Sequence, residues 1–257
     1  HTPFYGMGKG AAEVADPNRP THVFTPDEIV VPGFLPDTPD VRKELAHYYS
    51  SVRRADDDVA AMLETLAKEG LDGAETVVMM LSDHGMPFPF AKTCVYHHST
   101  HTPWMVRWPG TVKAGAVDSR HMISAIDFAP TILEIAGLPV PEAMQGRSFL
   151  PLLRGETQDG RDFVIKEYNE NSGAWRHPMR SVQTRQYGYI FNPWSNGKRK
   201  FETATNGMLT AREMIRLAKT DAKAAERLRL FQLRVVEEFY DYANDPDALN
   251  NLIDDPA

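Results

Sequence analysis

The sequence predicts an α/β protein, with part of a mixed, mostly parallel sheet flanked by helices, followed by a small antiparallel sheet with a helix. Three observations lead to this fold class. A long helical pattern at 38–70 runs into a continuous apolar stretch at 76–81, and polar residues follow at once. That order is typical of an open α/β sheet, where ligands bind beyond the carboxyl ends of the strands. After about Gly155 the pattern changes to short strands separated by turns. We therefore predict an α/β domain over 1–155 and a smaller α+β subdomain over 156–257.

The helix at 38–70 has clear start and stop signals. Thr38 can cap the free amides, Pro39 suits the first helical position, and Gly70 is a natural end. Between them, apolar residues recur at helical spacing. The run Thr76–Leu81 shows no polar alternation, which predicts a central strand covered on both faces.

Further elements follow from the same signals. We expect residues 1–37 to be a long surface loop and residues 241–257 a polar tail. The remaining expected elements are strands at 104–108, 163–165, 179–183 and 187–191, and helices at 124–136 and 210–238, the last with one heavily charged face.

Composition limits the possible functions. The 257 residues are 42% hydrophobic and 25% charged, which is ordinary for a globular protein with a sizeable core. The net charge of -7 argues against a general nucleic-acid or anionic-membrane binder, and no apolar run has the length of a membrane helix. Cys94 is the one cysteine, so no internal disulfide is expected, and we interpret it as a small buried apolar residue rather than a nucleophile.

Asp83 and His84, at the end of the predicted strand, are the first candidates for chemistry. A carboxylate and an imidazole are good ligands for a divalent cation, and Gly85 lets the backbone turn without a side chain in the pocket. The same triplet also suits an ordinary capped turn. Lys92 has two readings as well: a surface lysine, or an ammonium folded back over Asp83 to bind an anion.

Other polar residues have simpler readings. His97 and His101 have the i, i+4 spacing of a zinc pair, but their neighbours make a helix doubtful, so we favour a polar loop with His98. Arg180 is expected to neutralise a partner at the edge of the small sheet.

Several segments, taken in order, resemble the sulfatases, a branch of the alkaline phosphatase superfamily. The matching stretches are TVVMMLSDHG, AKTCVY, HTPWMVRWPG, SAIDFAPTILEIAGLPVP, QGRSFLPLLRG and EEFYDYANDPDALNNLIDDP. A narrower likeness to the sulfamidases, the heparan N-sulfatases, is carried by VPGFLPDTPDVRKELAHYYSSVRRADDDV, MPFPFAK and HPMRSVQTRQYGYI. The resemblance implies an alkaline-phosphatase-like fold and cleavage of sulfate from a sulfated sugar, most specifically N-sulfoglucosamine of heparan-type chains.

The resemblance also implies roles for single residues. Asp83 and His84 would ligate one divalent cation, usually calcium in this family, with His84 where the sulfamidases have asparagine. Lys92 would bind the sulfate as a catalytic and substrate-binding group, where sulfamidases often have arginine. His1 would match the catalytic histidine that contacts the transferred group and is a candidate general acid. Glu170 would lie near the sugar nitrogen.

One family feature is missing from this sequence. The nucleophile of sulfatases is a formylglycine made in a Cys-x-Pro-x-Arg motif, and Cys94 has neither Pro nor Arg at those offsets. We therefore expect this chain to be the C-terminal portion of a sulfatase, inactive alone, whose partners are its upstream portion and a sulfated saccharide, with no nucleic acid or membrane. Two alternatives stay open: a phosphodiesterase or phosphonate hydrolase of the same superfamily, and an inactive fragment. Family habit suggests a periplasmic, lysosomal or secreted protein, but the compartment stays unknown.

Overall fold

A computed structural model describes residues 4–7, 14–171 and 173–255 of the chain. Helices and strands alternate in its first part, and strands dominate the start of its second part. The helices are α1 Pro39–Lys68, α2 His97–Thr100, α3 Phe128–Ile135, α4 Leu150–Leu153, α5 Leu209–Leu217 and α6 Ala222–Leu233. The strands are β1 Val78–Leu81, β2 Trp104–Arg107, β3 Phe163–Glu170, β4 Arg176–Thr184, β5 Tyr187–Phe191 and β6 Glu237–Asp241.

Helix α1 begins and ends as its sequence predicts. The Thr38 hydroxyl accepts a hydrogen bond from the Val41 amide at 3.3 Å, and Pro39 occupies the first turn. Gly70 follows the helix with a φ of 68°, the left-handed conformation that glycine adopts without a steric cost. Val41 and Leu45 lie on the buried face, so α1 packs against the core through its first half.

The α/β class is confirmed, but β1 is not the central strand expected from its apolar run. It pairs antiparallel with β2, from Val78 opposite Arg107 to Leu81 opposite Trp104. Among the described residues these two strands form a separate sheet, and the side chains of β1 stay partly exposed. Among the strands of the described ranges, the predicted parallel pairing is not found.

The small antiparallel sheet predicted for the second part is confirmed. Its strands follow the order β3-β4-β5-β6, each antiparallel to its neighbour.

The long helix predicted at 210–238 is wrong in its extent. The chain forms α5 and then α6, which Asp221 caps by accepting from the Ala224 amide at 3.0 Å. Arg234 then ends α6 with a φ of 54°, and residues 237–241 continue as an edge strand with alternating burial.

The main hydrophobic core lies between α1, the loop at 88–96 and the inner face of the four-stranded sheet. Residues before and after position 155 contribute to it together, including Phe34, Leu45, Phe88, Phe90, Tyr96, Met179, Ile190, Met214, Phe231 and Tyr240. The loop that contains Lys92 therefore rests directly on the C-terminal sheet and its helices. The division at residue 155 stays a prediction.

The described part of the N-terminal loop has little regular structure, as expected, apart from a 3-10 turn at Pro26–Glu28. Within the described ranges, no helix has the length and apolarity required to cross a bilayer.

Candidate functional site

Asp83 and His84 lie together in the turn that follows β1. His84 Nε2 is 3.6 Å from Asp83 Oδ2, and the Asp83 side chain is 86% exposed. The Ser82 hydroxyl donates to the His84 carbonyl at 2.8 Å, which fixes the backbone between the two residues. The turn thus presents a carboxylate and an imidazole side by side at the carboxyl end of the strand.

Gly85 holds this turn against α2. Its amide donates to the Ser99 carbonyl at 2.9 Å. A Cβ atom at Gly85 would lie 1.9 Å from the His98 carbonyl oxygen and 2.8 Å from the Ala91 carbonyl oxygen. Only glycine fits such an approach of three backbone segments. The glycine in the Asp-His-Gly triplet is therefore required by packing, whatever the two side chains bind.

The hydrogen bonding of His84 suits a cation ligand. Its Nδ1 lies 2.7 Å from the Gly85 carbonyl oxygen, so Nδ1 carries the proton and donates it. Nε2 then faces the Asp83 carboxylate across 3.6 Å, and a divalent cation bound between them would be ligated by both groups. In the part of the chain that the structure describes, no group of three or more His, Cys, Asp or Glu could hold a metal ion. Calcium takes six to eight oxygen ligands, so this pair would supply part of its shell.

Lys92 lies on a short loop with two unusual backbone conformations. Phe90 and Thr93 on either side of it adopt positive φ values of 65° and 58°. Such conformations cost free energy in residues other than glycine, and they persist where the surrounding packing enforces them. Partial burial lowers the pKa of Lys92, and the negative charge of Asp83 opposes that shift. The ammonium is therefore close enough to Asp83 to interact electrostatically with it.

Buried arginines support this loop from below. The Arg227 guanidinium lies 3.8 Å from the centre of the Phe90 ring. Arg234 is 2% exposed and faces the rings of Phe90 and Tyr96 at 5.3 and 5.0 Å. Its Nε and Nη2 atoms have no hydrogen-bond partner among the described residues, so the surrounding aromatic faces carry much of its stabilisation. These contacts hold Phe90 in its left-handed conformation.

Glu238 balances the buried positive charge. This fully buried carboxylate accepts hydrogen bonds from the Tyr96 hydroxyl at 2.5 Å, the Tyr240 hydroxyl at 2.6 Å and the Asn192 side-chain amide at 2.8 Å. Arg234 Nη1 donates to the Tyr96 hydroxyl at 3.4 Å. Burial, followed by the charge of Glu238, raises the pKa of Tyr96. The network therefore joins the lysine loop to β5 and β6.

Glu170 lies at the end of β3 and is exposed. Its carboxylate is 3.6 Å from Arg176 Nε, across the β3–β4 hairpin. The next residue, Asn171, donates from its side chain to the Glu202 carbonyl at 2.9 Å. Thr203 then pairs with Thr93, their hydroxyl oxygens 2.5 Å apart. Glu170 is thus connected to the lysine loop through neighbouring residues rather than by direct contact.

The other predicted residues divide into three groups. His1 lies outside the described residues, so its role stays a prediction. The polar loop favoured at His97 and His98 is wrong, because these residues begin the short helix α2. His97 Nδ1 accepts from the Gln183 side chain at 2.7 Å, and its ring stacks on that of His101 at 4.6 Å. Cys94 is buried as expected, and Arg180 pairs with Glu167 at 3.5 Å as expected.

Sequence reasoning missed the residues that support the site. Arg234 appeared to belong to a charged helical face, but it is buried beneath the lysine loop. Asn171 and Thr203 carried no pattern that distinguishes them from other polar loop residues. The available signal was indirect: the β-branched and aromatic residues Val235, Val236, Phe239 and Tyr240 favour a strand over a longer helix.

Two protein-family models match the chain. The sulfatase family model matches residues 11–138, and the model of the C-terminal part of N-sulphoglucosamine sulphohydrolase matches residues 83–199. Together they span residues 11–199, which include strands β1 to β5 and the candidate residues Asp83, His84, Lys92 and Glu170.

Individual relatives agree with the family models. Human N-sulphoglucosamine sulphohydrolase is 31% identical over 253 residues, covering 93% of this chain and 49% of the human protein. An ulvan-active sulfatase of Formosa agariphila is 28% identical over 255 residues, covering 98% of this chain and 42% of the relative. A solved putative sulfatase from Bacteroides thetaiotaomicron superposes with a TM-score of 0.62 at 21% identity, over 87% of this chain and 41% of that one. The chain therefore spans about half the length of these relatives, and it belongs to the sulfatase family.

Proposed function

We propose that the full-length gene product is a metal-dependent sulfohydrolase that removes sulfate from a sulfated sugar, with the sulfamate of N-sulfoglucosamine in heparan-type chains as its preferred group. The observation that carries the proposal is the pairing of Asp83 and His84, 3.6 Å apart, with Lys92 close by, in a chain whose residues 83–199 match a sulfamidase model. The human enzyme is a relative with that activity in its name.

The proposed chemistry follows from charge. A sulfate or sulfamate group carries negative oxygens, which repel a nucleophile. A divalent cation, calcium by family habit, would neutralise part of that charge when bound at Asp83 and His84. Lys92 would bind another sulfonyl oxygen as a compact point charge, which its partial burial strengthens because less water screens it. The nucleophile, a formylglycine, would come from sequence outside this chain.

Protonation of the leaving group requires a further residue. His1 is the candidate within this chain, and Glu170 is the candidate for contact with the sugar nitrogen. Arg176 lies 3.6 Å from Glu170 and would help to orient its carboxylate. The proposed general acid, His1, and the proposed contact to the sugar nitrogen, Glu170, are thus different residues. Mutating each one separately tests the two roles.

The decisive experiment measures sulfate release from N-sulfoglucosamine by the full-length gene product. Lys92→Ala should lower kcat/KM by about a hundredfold or more, because an electrostatic contact to the transferred group is lost. Lys113→Ala, an exposed lysine in the β2–α3 connection, is the matched control and should leave kcat/KM unchanged. Full activity of the Lys92 variant would contradict the assigned role. Faster turnover of a phosphonate monoester than of the sulfamate would favour the alternative of a phosphonate hydrolase.

A further inference from the structure

A ridge of exposed aromatic and basic residues lies at the tip of the β3–β4 hairpin and the turn after β5. We call Trp175, Arg176, Lys198, Arg199 and Lys200 the basic ridge. Trp175 is 56% exposed, so part of its indole ring is available for contact. The four cationic residues are also exposed.

The basic ridge is held in a defined shape. Arg199 Nη2 donates to the Arg176 carbonyl at 2.6 Å, which joins the turn to the hairpin. The Asn196 side chain accepts from the amides of Lys198 and Arg199 at 3.0 and 2.8 Å. The buried His177 donates from Nε2 to the Lys200 carbonyl at 3.0 Å. The backbone that carries the charges is therefore fixed before any ligand binds.

The charge of the basic ridge contrasts with that of the whole chain. The chain carries a net charge of -7, yet three consecutive cations occur at 198–200. Arg176 is paired with Glu170 at 3.6 Å. No ion pair joins Lys198, Arg199 or Lys200 to a carboxylate in the described part of the chain. Such a local concentration of positive charge attracts an anion despite the overall negative charge.

A short covalent path connects the basic ridge to the proposed site. Thr203, whose hydroxyl contacts that of Thr93 beside Lys92, is three residues beyond Lys200. Three residues span at most about 10 Å of backbone. Asn171 connects the hairpin to the same segment by its bond to the Glu202 carbonyl. The basic ridge is therefore joined by a short stretch of backbone to the threonine contact beside Lys92.

We propose that the basic ridge is a second binding site, which takes the neighbouring anionic sugar units of a sulfated oligosaccharide while one unit is bound at Lys92. Trp175 offers a flat apolar face to a sugar ring, and Lys198, Arg199 and Lys200 bind its sulfate or carboxylate groups. This inference rests on the proposed function for the position of the reacting unit. It adds that the enzyme prefers chains to single sugars, because an oligosaccharide would occupy both sites and a monosaccharide only one.

The test uses the full-length gene product with Lys198, Arg199 and Lys200 all changed to serine. Its matched control changes Lys113, Lys219 and Lys223 to serine, which removes the same charge from exposed positions elsewhere. The probes are a heparin-derived hexasaccharide and N-sulfoglucosamine. We expect the ridge variant to bind the hexasaccharide about tenfold or more weakly at low salt, given three exposed charge contacts. Its kcat/KM for the monosaccharide should change by less than about twofold. Added salt should reduce the difference in hexasaccharide affinity between the ridge variant and the control variant.

Trp175→Ala provides an independent variant that leaves the charges in place. It should weaken hexasaccharide binding even at high salt, where the ionic contacts are screened. Equal hexasaccharide affinity in the ridge variant and its control would overturn the inference, as would an equal loss of kcat/KM for both substrates. A single-stranded DNA of equal charge that binds the ridge as tightly would overturn the saccharide assignment. Ridge-dependent hexasaccharide binding without sulfamate turnover would support the second site and contradict the proposed function.

Discussion

Arg227 and Phe90 form the contact beneath the proposed anion-binding lysine, with the guanidinium carbon 3.8 Å from the ring centre. Arg227 also donates to the carbonyls of Ala248 and Asp247, at 2.7 and 3.3 Å. A residue on α6 thus connects the lysine loop to the C-terminal segment.

Arg227→Met should destabilise the protein. It removes a largely desolvated cation–π contact and two hydrogen bonds, so we expect the free energy of unfolding to fall by about 1–3 kcal/mol. Urea unfolding followed by tryptophan fluorescence measures this change. Arg229→Met, two residues along the same helix and exposed, is the control and should stay within about 0.5 kcal/mol of the unsubstituted protein. Equal stability of both variants would argue against a structural role for the Phe90 contact.

Gly85→Ala should displace the Asp83–His84 turn. The added methyl group would overlap the His98 and Ala91 carbonyls, both of them backbone atoms that cannot rotate away. Overpacking of this kind costs about 1–3 kcal/mol, and it should also reduce sulfate release. Gly73→Ala is the control, because nothing lies within 4 Å of its Cβ position. Urea unfolding and sulfate release, both measured on the Gly85 variant, would show whether the site moves with the turn. Unchanged stability and activity would contradict the close packing of Gly85 against the His98 and Ala91 carbonyls.

Glu238→Ala should be the most damaging change in the buried network. The hydroxyls of Tyr96 and Tyr240 would lose their acceptor, and the buried Arg234 would lose the carboxylate that balances its charge. Removing one member of a buried charged network costs about 3–5 kcal/mol. Glu237→Ala is the matched control, since Glu237 is the exposed neighbour and accepts one hydrogen bond, from Tyr189. A calorimetric comparison of the two variants measures the difference, and similar melting temperatures would contradict the network.

Lys166 should make stability depend on pH in the alkaline range. Burial lowers the pKa of Lys166 to about 7, while its Nζ donates to Thr100 at 2.8 Å and to Gln183. Between pH 7 and the ordinary pKa of lysine, the unfolded chain therefore keeps a proton on Lys166 that the folded chain has released. The free energy of unfolding rises with pH across this interval. Below about pH 7 Lys166 is protonated in both the folded and the unfolded chain, and its contribution to stability is lost.

Lys166→Met tests this linkage. The difference in free energy of unfolding between the original protein and the variant should shift in favour of the original protein as pH rises from 7 to 10. Urea unfolding at several pH values measures the shift. Lys113→Met, at an exposed position, controls for general charge effects, and parallel pH profiles for the original protein and the Lys166 variant would contradict the prediction.

The sequence predicted those features that depend on local order along the chain. The caps of α1, the antiparallel C-terminal sheet and the Asp-His-Gly turn all follow from neighbouring residues. The end of α6 at Arg234 was missed because burial of a charged residue depends on distant partners, here the rings of Phe90 and Tyr96. The partner of β1 was missed for the same reason. An apolar run indicates burial, but it does not say which strands lie beside it.

The candidate site was predicted unevenly. Asp83 and His84 occur together in the sequence, so their proximity was expected. The charge of Asp83 acts on the pKa of Lys92, and the role of Lys92 as an anion-binding group stays a prediction. The link from Asn171 through Thr203 to Thr93 joins residues separated by more than a hundred positions, and no local pattern encodes it. Contacts of that kind become visible only when the fold is known.

The hydroxyl contact between Thr93 and Thr203 has an evolutionary consequence. The loop that would grip the departing anion and the segment that carries the outer charges share one anchoring point. A substitution that shifts the hairpin backbone would also shift the proposed anion-binding lysine. If the proposed function holds, changes of sugar preference should therefore accumulate in side chains of the hairpin tip, while its backbone length and its threonine contact are retained.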